Sequence, residues 1–331
     1  MGLILSRLIA RTVLLLVAAG SLAVQAQPTA KVFRIGILAG SPPTSPEAAH
    51  VWEGFFQGLR ELGYVEGVNF VIEGRYYGEK LERLPTLAAE LARLPVDIIV
   101  AGAAPAPEAA RRATSTIPIV IANHGDPVRS GLVASLARPG GNVTGISMAN
   151  VELASKRLQL LKEVVPRLSR VAVLSNPTNP QNALELSELE GAARSLQVQI
   201  QVLEARAPGE FASVYSAATK ERADALIVLG GSMFFAERVR LAKLAAKSRL
   251  PTMHIAREFV EAGGLMAYGV NIRESFRRAA TYVDKILRGV KPSDLPVEQP
   301  AKFDVVVNLR TAKALGVSIP PTVLVRAEVI D

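Results

Sequence analysis

Short, uninterrupted apolar runs alternate along this chain with longer amphipathic stretches, in the rhythm of β-α-β-α units. The strand-like runs fall at 33–39 (FRIGILA), 69–76, 97–102, 117–123 and 143–148, then at 170–176, 199–205, 224–230, 250–255, 264–269 and 303–309. Runs of Val, Ile and Leu without polar alternation are what strands covered on both faces require, so a parallel sheet flanked by helices is predicted. The pattern also repeats. Arg34 opens RIGILAGSPPTSP, then a helix and a strand; Arg170, 136 positions on, opens RVAVLSNPTNP with the same sequel. Asp97 (DIIVAG) and Asp224 (DALIVLG) pair in the same way at a separation of 127. A nearly constant offset predicts two lobes of one topology rather than one long sheet. The alternative is the generic similarity of all β-α units.

The first 26 residues stand outside this pattern. Arg7 and Arg11 precede an apolar stretch at 12–24, and Val24-Gln25-Ala26 provides a cleavage site before Gln27, the layout of a secretory signal. The apolar run is well short of the ~20 residues that span a bilayer, which argues against the alternative of a retained anchor. Cleavage leaves about 305 residues, the size at which one core divides into two. The net charge falls from +8 to +6, and no later stretch is apolar enough to span a membrane. The chain has no cysteine, which excludes disulfides, thiolate metal sites, a cysteine nucleophile and a lipid anchor on cysteine. Together with the signal, this predicts a soluble periplasmic monomer held together by packing. The three histidines, His50, His124 and His254, lack metal-ligand spacing, and the basic residues are mixed with acidic ones rather than gathered into a nucleic-acid footprint. No metal, cofactor or nucleic-acid partner is expected.

Ligands of open parallel sheets bind beyond the carboxyl ends of the strands. Five loops occupy that position, at 41–47, 102–108, 123–130, 176–182 and 230–237, all rich in Gly, Pro, Ser, Thr or Asn. Each taken alone reads as turn and capping chemistry; five from both halves point to a shared cleft. Ser41, Thr44, Ala103 and Ala104 stand at strand-to-helix turns, where hydroxyls and free N–H groups can hold a carboxylate. Asp126 directly follows a strand and is either the start of a turn before Pro127 or the partner of a ligand ammonium. Asn176, Asn179 and Ser232 are candidates for hydrogen bonds from the second half. Phe234 or Tyr268 can stack on a ring, the alternative for Phe234 and Phe235 being to cap the following helix.

No G-x-S-x-G elbow, G-x-x-x-x-G-K-[ST] phosphate loop or G-x-G-x-x-G fingerprint occurs, and catalysis is not expected. The most idiosyncratic segments are STIPIV (115–120) followed by Gly125-Asp126-Pro127-Val128, GLVASLARPGGNVTGIS (131–147), EFVEAGGLMAYG (258–269) and LPVEQPAKFDVVVNLRTAKALGVSIPP (295–321). On these the chain resembles the ABC-transporter substrate-binding proteins of the tryptophan/tyrosine-type group, within the type I periplasmic binding proteins. The resemblance implies two doubly wound parallel-sheet lobes joined by a three-crossing hinge. The crossings would lie at 143–148, 264–270 and before Phe303, giving a first lobe of 31–147 with 270–298 and a second of 148–269 with 299–331. The helix at 271–289, with its Ala280/Val283/Ile286/Leu287 stripe, would return to the first lobe. The resemblance further implies a clamp that delivers a small ligand, an aromatic amino acid or similar small acid, to an ABC permease and its ATPase subunit. A ligand sensor of the same fold and a periplasmic α/β enzyme are the alternatives. His124 departs from the small residues of relatives and is expected to be solvated rather than to tune the ligand.

Overall fold

The structure is a computed structural model that describes residues 31–78 and 80–331; the expected signal segment, 1–26, lies outside the described residues. The strands are β1 (Phe33–Ala39), β2 (Phe70–Tyr76), β3 (Ile98–Ala101), β4 (Ile119–His124), β5 (Val143–Ser147) and β6 (Arg170–Ser175). They continue with β7 (Gln199–Glu204), β8 (Ala225–Val228), β9 (Thr252–His254), β10 (Met266–Gly269), β11 (Asp304–Asn308) and β12 (Ala327–Ile330). All eleven expected strands form within a residue or two of the apolar runs.

Two sheets result. The first has the order β2-β1-β3-β4-β5 and the second β12-β11-β10-β9-β8-β6-β7. Removing β11 and β12 leaves the second as β10-β9-β8-β6-β7, the same winding as the first read from its other edge. The register of β1 on β3 begins at Ile35↔Ile98 and that of β6 on β8 at Val171↔Ala225, so the repeated RIGIL and RVAVL segments occupy the equivalent strand in each lobe. Asp97 and Asp224 explain why that motif recurs: Asp97 Oδ2 accepts from Arg34 N–H at 2.8 Å, and Asp224 Oδ2 from Arg170 N–H at 2.8 Å. Each aspartate ties the start of one strand to its neighbour.

Three expectations need correction. The strands β2, β7 and β12 are only partly buried, because each lies at the edge of its sheet. The four-residue AEVI run of β12 was too short and polar to stand out. And β11 is antiparallel to β10, pairing Met266 with Val307 and Gly269 with Asp304. The reason is connectivity. After β10 the chain leaves the second lobe through the helix Ile272–Leu287, which packs against the helix Ala49–Glu61 and on β4 and β5 of the first. It then runs beside β5, where Ser147 N–H donates to Glu298 C=O and Glu298 N–H to Gly145 C=O. It thus re-enters the second sheet from the end at which it left, and β11 must run the opposite way.

The helix contact is close because Gly54 and Gly58 face it: a Cβ would lie 2.3 Å from Arg273 C=O at the first and 2.7 Å from Arg277 C=O at the second. Trp52, Phe55, Phe276, Ala279, Ala280 and Val283 fill the interface around them.

Candidate functional site

The carboxyl ends of β1, β3, β4, β6 and β8 converge on a cavity of about 510 Å³ between the lobes. All five loops picked out by the strand-end rule reach it, through Ser41 and Glu47, Ala103 and Ala104, Asn123 and Gly125, Asn179 and Gln181, and the stretch from Gly230 to Glu237. Part of the lining is apolar: Trp52 and Phe276, edge-to-face at 4.9 Å, with Met148, Ile255, Ile272 and Phe235. The rest is largely polar. Among the described lining residues there is no Lys, Arg or His, while Glu47, Glu185 and Glu237 contribute carboxylates. The lobes are closed on one another. Tyr77 Oη and Ser232 Oγ share a hydrogen bond at 3.1 Å, Arg238 Nη1 donates to Glu47 C=O at 3.1 Å, Asp126 N–H donates to Gln181 Oε1 at 2.8 Å, and Arg129 pairs with Glu188 at 2.6 Å.

Of the residues singled out from sequence, Ser41, Ala103, Ala104, Asn179 and Ser232 line the cavity. The other five do not. Thr44 is exposed on the loop. Asp126 is buried, and its Oδ1 accepts from Val128 and Arg129 N–H at 3.0 and 2.9 Å, so the carboxylate organises its own turn. Asn176 Oδ1 is taken by the Thr178 N–H and hydroxyl. Phe234 is fully buried in the core against Phe211, and it is its neighbour Phe235 that reaches the cleft. Tyr268 is half-buried against Phe303. His124, expected in solvent, is fully buried: Nε2 lies 2.8 Å from Glu108 Oε1. Burial pushes the Glu108 carboxyl up, but the His124 hydrogen bond and charge hold it below the usual carboxylate range.

Sequence reasoning missed Trp52, Tyr77, Asn150, Gln181, Glu185 and Phe276. Gln181 and Glu185 were findable in principle. They lie one turn apart on the helix Pro180–Leu196, on the face that also buries Asn182, Leu189 and Ala193, and polar residues on the apolar stripe of a helix are the anomaly to look for.

Glu185 belongs to a buried ionic cluster. Arg157 and Glu185 are each 1% exposed, with Nη1 3.7 Å from Oε2. Arg157 Nε donates to Tyr268 C=O at 2.8 Å, Nη1 to Asn150 C=O at 3.1 Å and Nη2 to Asn150 Oδ1 at 2.8 Å. Asn150 directly follows the first of the expected crossings and Tyr268 lies within the second, so one guanidinium ties the two stretches together. Burial pushes the guanidinium down to about 10, and it pushes the Glu185 carboxyl up against the pull of Arg157. The Glu47 carboxyl is held below the usual range, first by its own N–H and against its partial burial.

Two matched α/β lobes, three crossings and a cleft lined from both sides define a type I periplasmic-binding-protein clamp. Residues 44–330 match the family of ABC transporter substrate binding proteins, and the chain belongs to that family. A tyrosine-binding protein of Clostridioides difficile is 26% identical over 263 residues, 80% of this chain and 75% of that protein. Among solved structures, an ABC domain of Streptococcus pneumoniae in complex with L-Trp is 26% identical, with a TM-score of 0.83 over 91% of this chain and all of the other. The ligand-free, open structure of a substrate binding protein with adhesive properties from Clostridium difficile, also 26% identical, gives 0.64 over 91% of this chain and 99% of the other. At equal identity the likeness is greater to the liganded structure than to the open one, in keeping with the closed lobes seen here.

Proposed function

We propose that the protein is an exported solute receptor that closes on a free amino acid with a large aromatic side chain and passes it to an ABC permease driven by an ATPase subunit. The observation that carries this reading is the cavity itself, within the ~300–1,000 Å³ of small-molecule sites, lined by aromatic and aliphatic side chains together with loop amides and polar side chains. A tyrosine-binding relative and an L-Trp-bound neighbour support the same ligand class. The 1–26 segment, with its basic start and apolar run, serves as the export signal, with Gln27 as the mature terminus. The lobes comprise 31–147 with 270–298 and 148–269 with 299–331, and the mature protein acts as a periplasmic monomer without catalytic activity. Membership of a family of binding proteins supports this, and no helix among the described residues is long and apolar enough to cross a membrane. Titration calorimetry of the purified protein with L-tryptophan, L-tyrosine and L-phenylalanine tests the proposal. One-to-one binding of at least one of them is expected, with the amino acid recovered chemically unchanged. Absence of binding by all three rejects the ligand class.

A further inference from the structure

The Gly125-Asp126-Pro127-Val128 segment is among the most idiosyncratic of the chain, yet cleft chemistry does not explain it, since the Asp126 carboxylate is taken up by the N–H groups of Val128 and Arg129. What the segment does instead is cross between the lobes. The peptide group joining Gly125 to Asp126 is bonded at both ends. Its C=O accepts from Asn150 N–H at 2.9 Å, beside the first crossing, and its N–H donates to Gln181 Oε1 of the second lobe at 2.8 Å. Three residues on, Arg129 pairs with Glu188 at 2.6 Å. Gln181 and Glu188 lie seven residues apart on the helix Pro180–Leu196, on one face of it. One loop of the first lobe thus lies along one helix of the second.

Gly125 makes that approach possible. Its φ lies outside the left-handed region, so the backbone does not demand glycine here; the space does. A Cβ would stand 2.6 Å from Gln181 Oε1, closer than real Cβ atoms come. Gln181 is buried and its oxygen is held by the Asp126 N–H, so moving the side chain aside gives up the bond that joins the lobes. Gly40, which faces Ser232 across the cleft, is less tight: a Cβ there would still have 3.4 Å. The Arg129–Glu188 pair is exposed, and exposed pairs add little. We propose that Gly125 and Gln181 form the closure latch of the clamp: the missing side chain at 125 lets Gln181 seat on the Asp126 N–H, and this contact sets the balance between open and closed lobes. The two are positioning residues that act on the lobes, whatever the cargo.

The chain has no cysteine, so introduced thiols are the sole labelling sites. Spin labels at Arg112→Cys on the first lobe and Lys243→Cys on the second, both exposed, report the distance between the lobes. It is measured by pulsed electron paramagnetic resonance in the free protein and with saturating L-tryptophan or L-tyrosine. Gly125→Ala is expected to shift the distances towards the open form and to weaken whichever amino acid wild type binds about 10-fold or more, since binding then draws on a smaller closed population. In a Gln181→Ala background, which removes the atom that a new Cβ would strike, Gly125→Ala is expected to change neither readout further. A general loss of structure would not reproduce that cancellation. Wild-type distances in Gly125→Ala, or an equal shift with and without Gln181, overturn the latch. If Gly125→Ala does not fold, Gln181→Ala decides alone: a shift towards the open form upholds the latch and unchanged distances overturn it. If wild type binds neither amino acid, the cargo proposed above falls, and the distances in the free protein still judge the latch.

Discussion

Glu258 and His254 sit four residues apart near the end of β9, buried and without hydrogen-bond partners. His254 stacks on Phe259 at 4.7 Å. Burial pushes the Glu258 carboxyl up to about 7 and the His254 imidazole down to about 3, with opposite consequences for stability. The glutamate is raised above its unfolded pKa of about 4.3, so its neutral form's contribution is complete below that pH and is lost as pH rises through 7. The histidine is lowered, so the unfolded chain takes up a proton that the folded chain refuses, and stability falls as pH drops below about 6.5. Between roughly pH 4.3 and 6.5 the two slopes oppose each other. Glu258→Gln is therefore expected to be more stable than wild type at pH 8, by on the order of 3 kcal/mol, with the gap closing towards pH 4; urea titrations at several pH values measure it. A variant whose advantage did not depend on pH would refute the account. Individual side chains were also where the sequence was least legible. Asp126 read equally as the start of a turn or as an ammonium partner, and its carboxylate caps its own turn. Phe234 and Phe235 differ by one helical step of about 100°, and that step decides which faces the core and which the cleft.

Elements were far more legible, because strand runs and helix periodicity are local properties of the chain. All five β-α loops predicted from strand ends do meet in one cavity. What local pattern could not carry was direction. The FDVVVN run reads the same whether β11 is parallel or antiparallel, and only the route of the chain through the first lobe decides it. Nor does a helix sequence announce its partner. The contact between the helices Ala49–Glu61 and Ile272–Leu287 yields a sharp prediction. Gly54→Ala raises helix propensity by about 1 kcal/mol, yet its Cβ has no room beside Arg273 C=O. Overpacking costs typically 1–3 kcal/mol, so the variant should unfold at lower urea despite the better helix former. A gain in stability would mean that the two helices separate easily.

At the scale of the whole molecule, the matched lobes are rigid bodies whose relative motion is confined to the crossings, and a ligand stabilises the closed state by its differential affinity for it. Small-angle scattering should show a smaller radius of gyration with saturating L-tyrosine than without, and an unchanged radius would count against the clamp. Arg157 is the pin of that hinge. Arg157→Met leaves Glu185 buried without a counter-ion and releases Asn150 and Tyr268 C=O, so a loss of about 3–5 kcal/mol in unfolding free energy is expected; a midpoint unchanged in urea would show that the crossings hold without it. The late return of β11 has a further bearing, on how the chain is made. When the chain folds from its amino end, β6 to β10 can assemble in order, but the outer edge of β10 stays open until β11 arrives 35 positions after Gly269. An open strand edge is a template for pairing with another chain. The nascent second lobe is thus most vulnerable to self-association while the intervening segment is being laid onto its neighbour, and cutting the chain before Asp304 would make that passing hazard permanent.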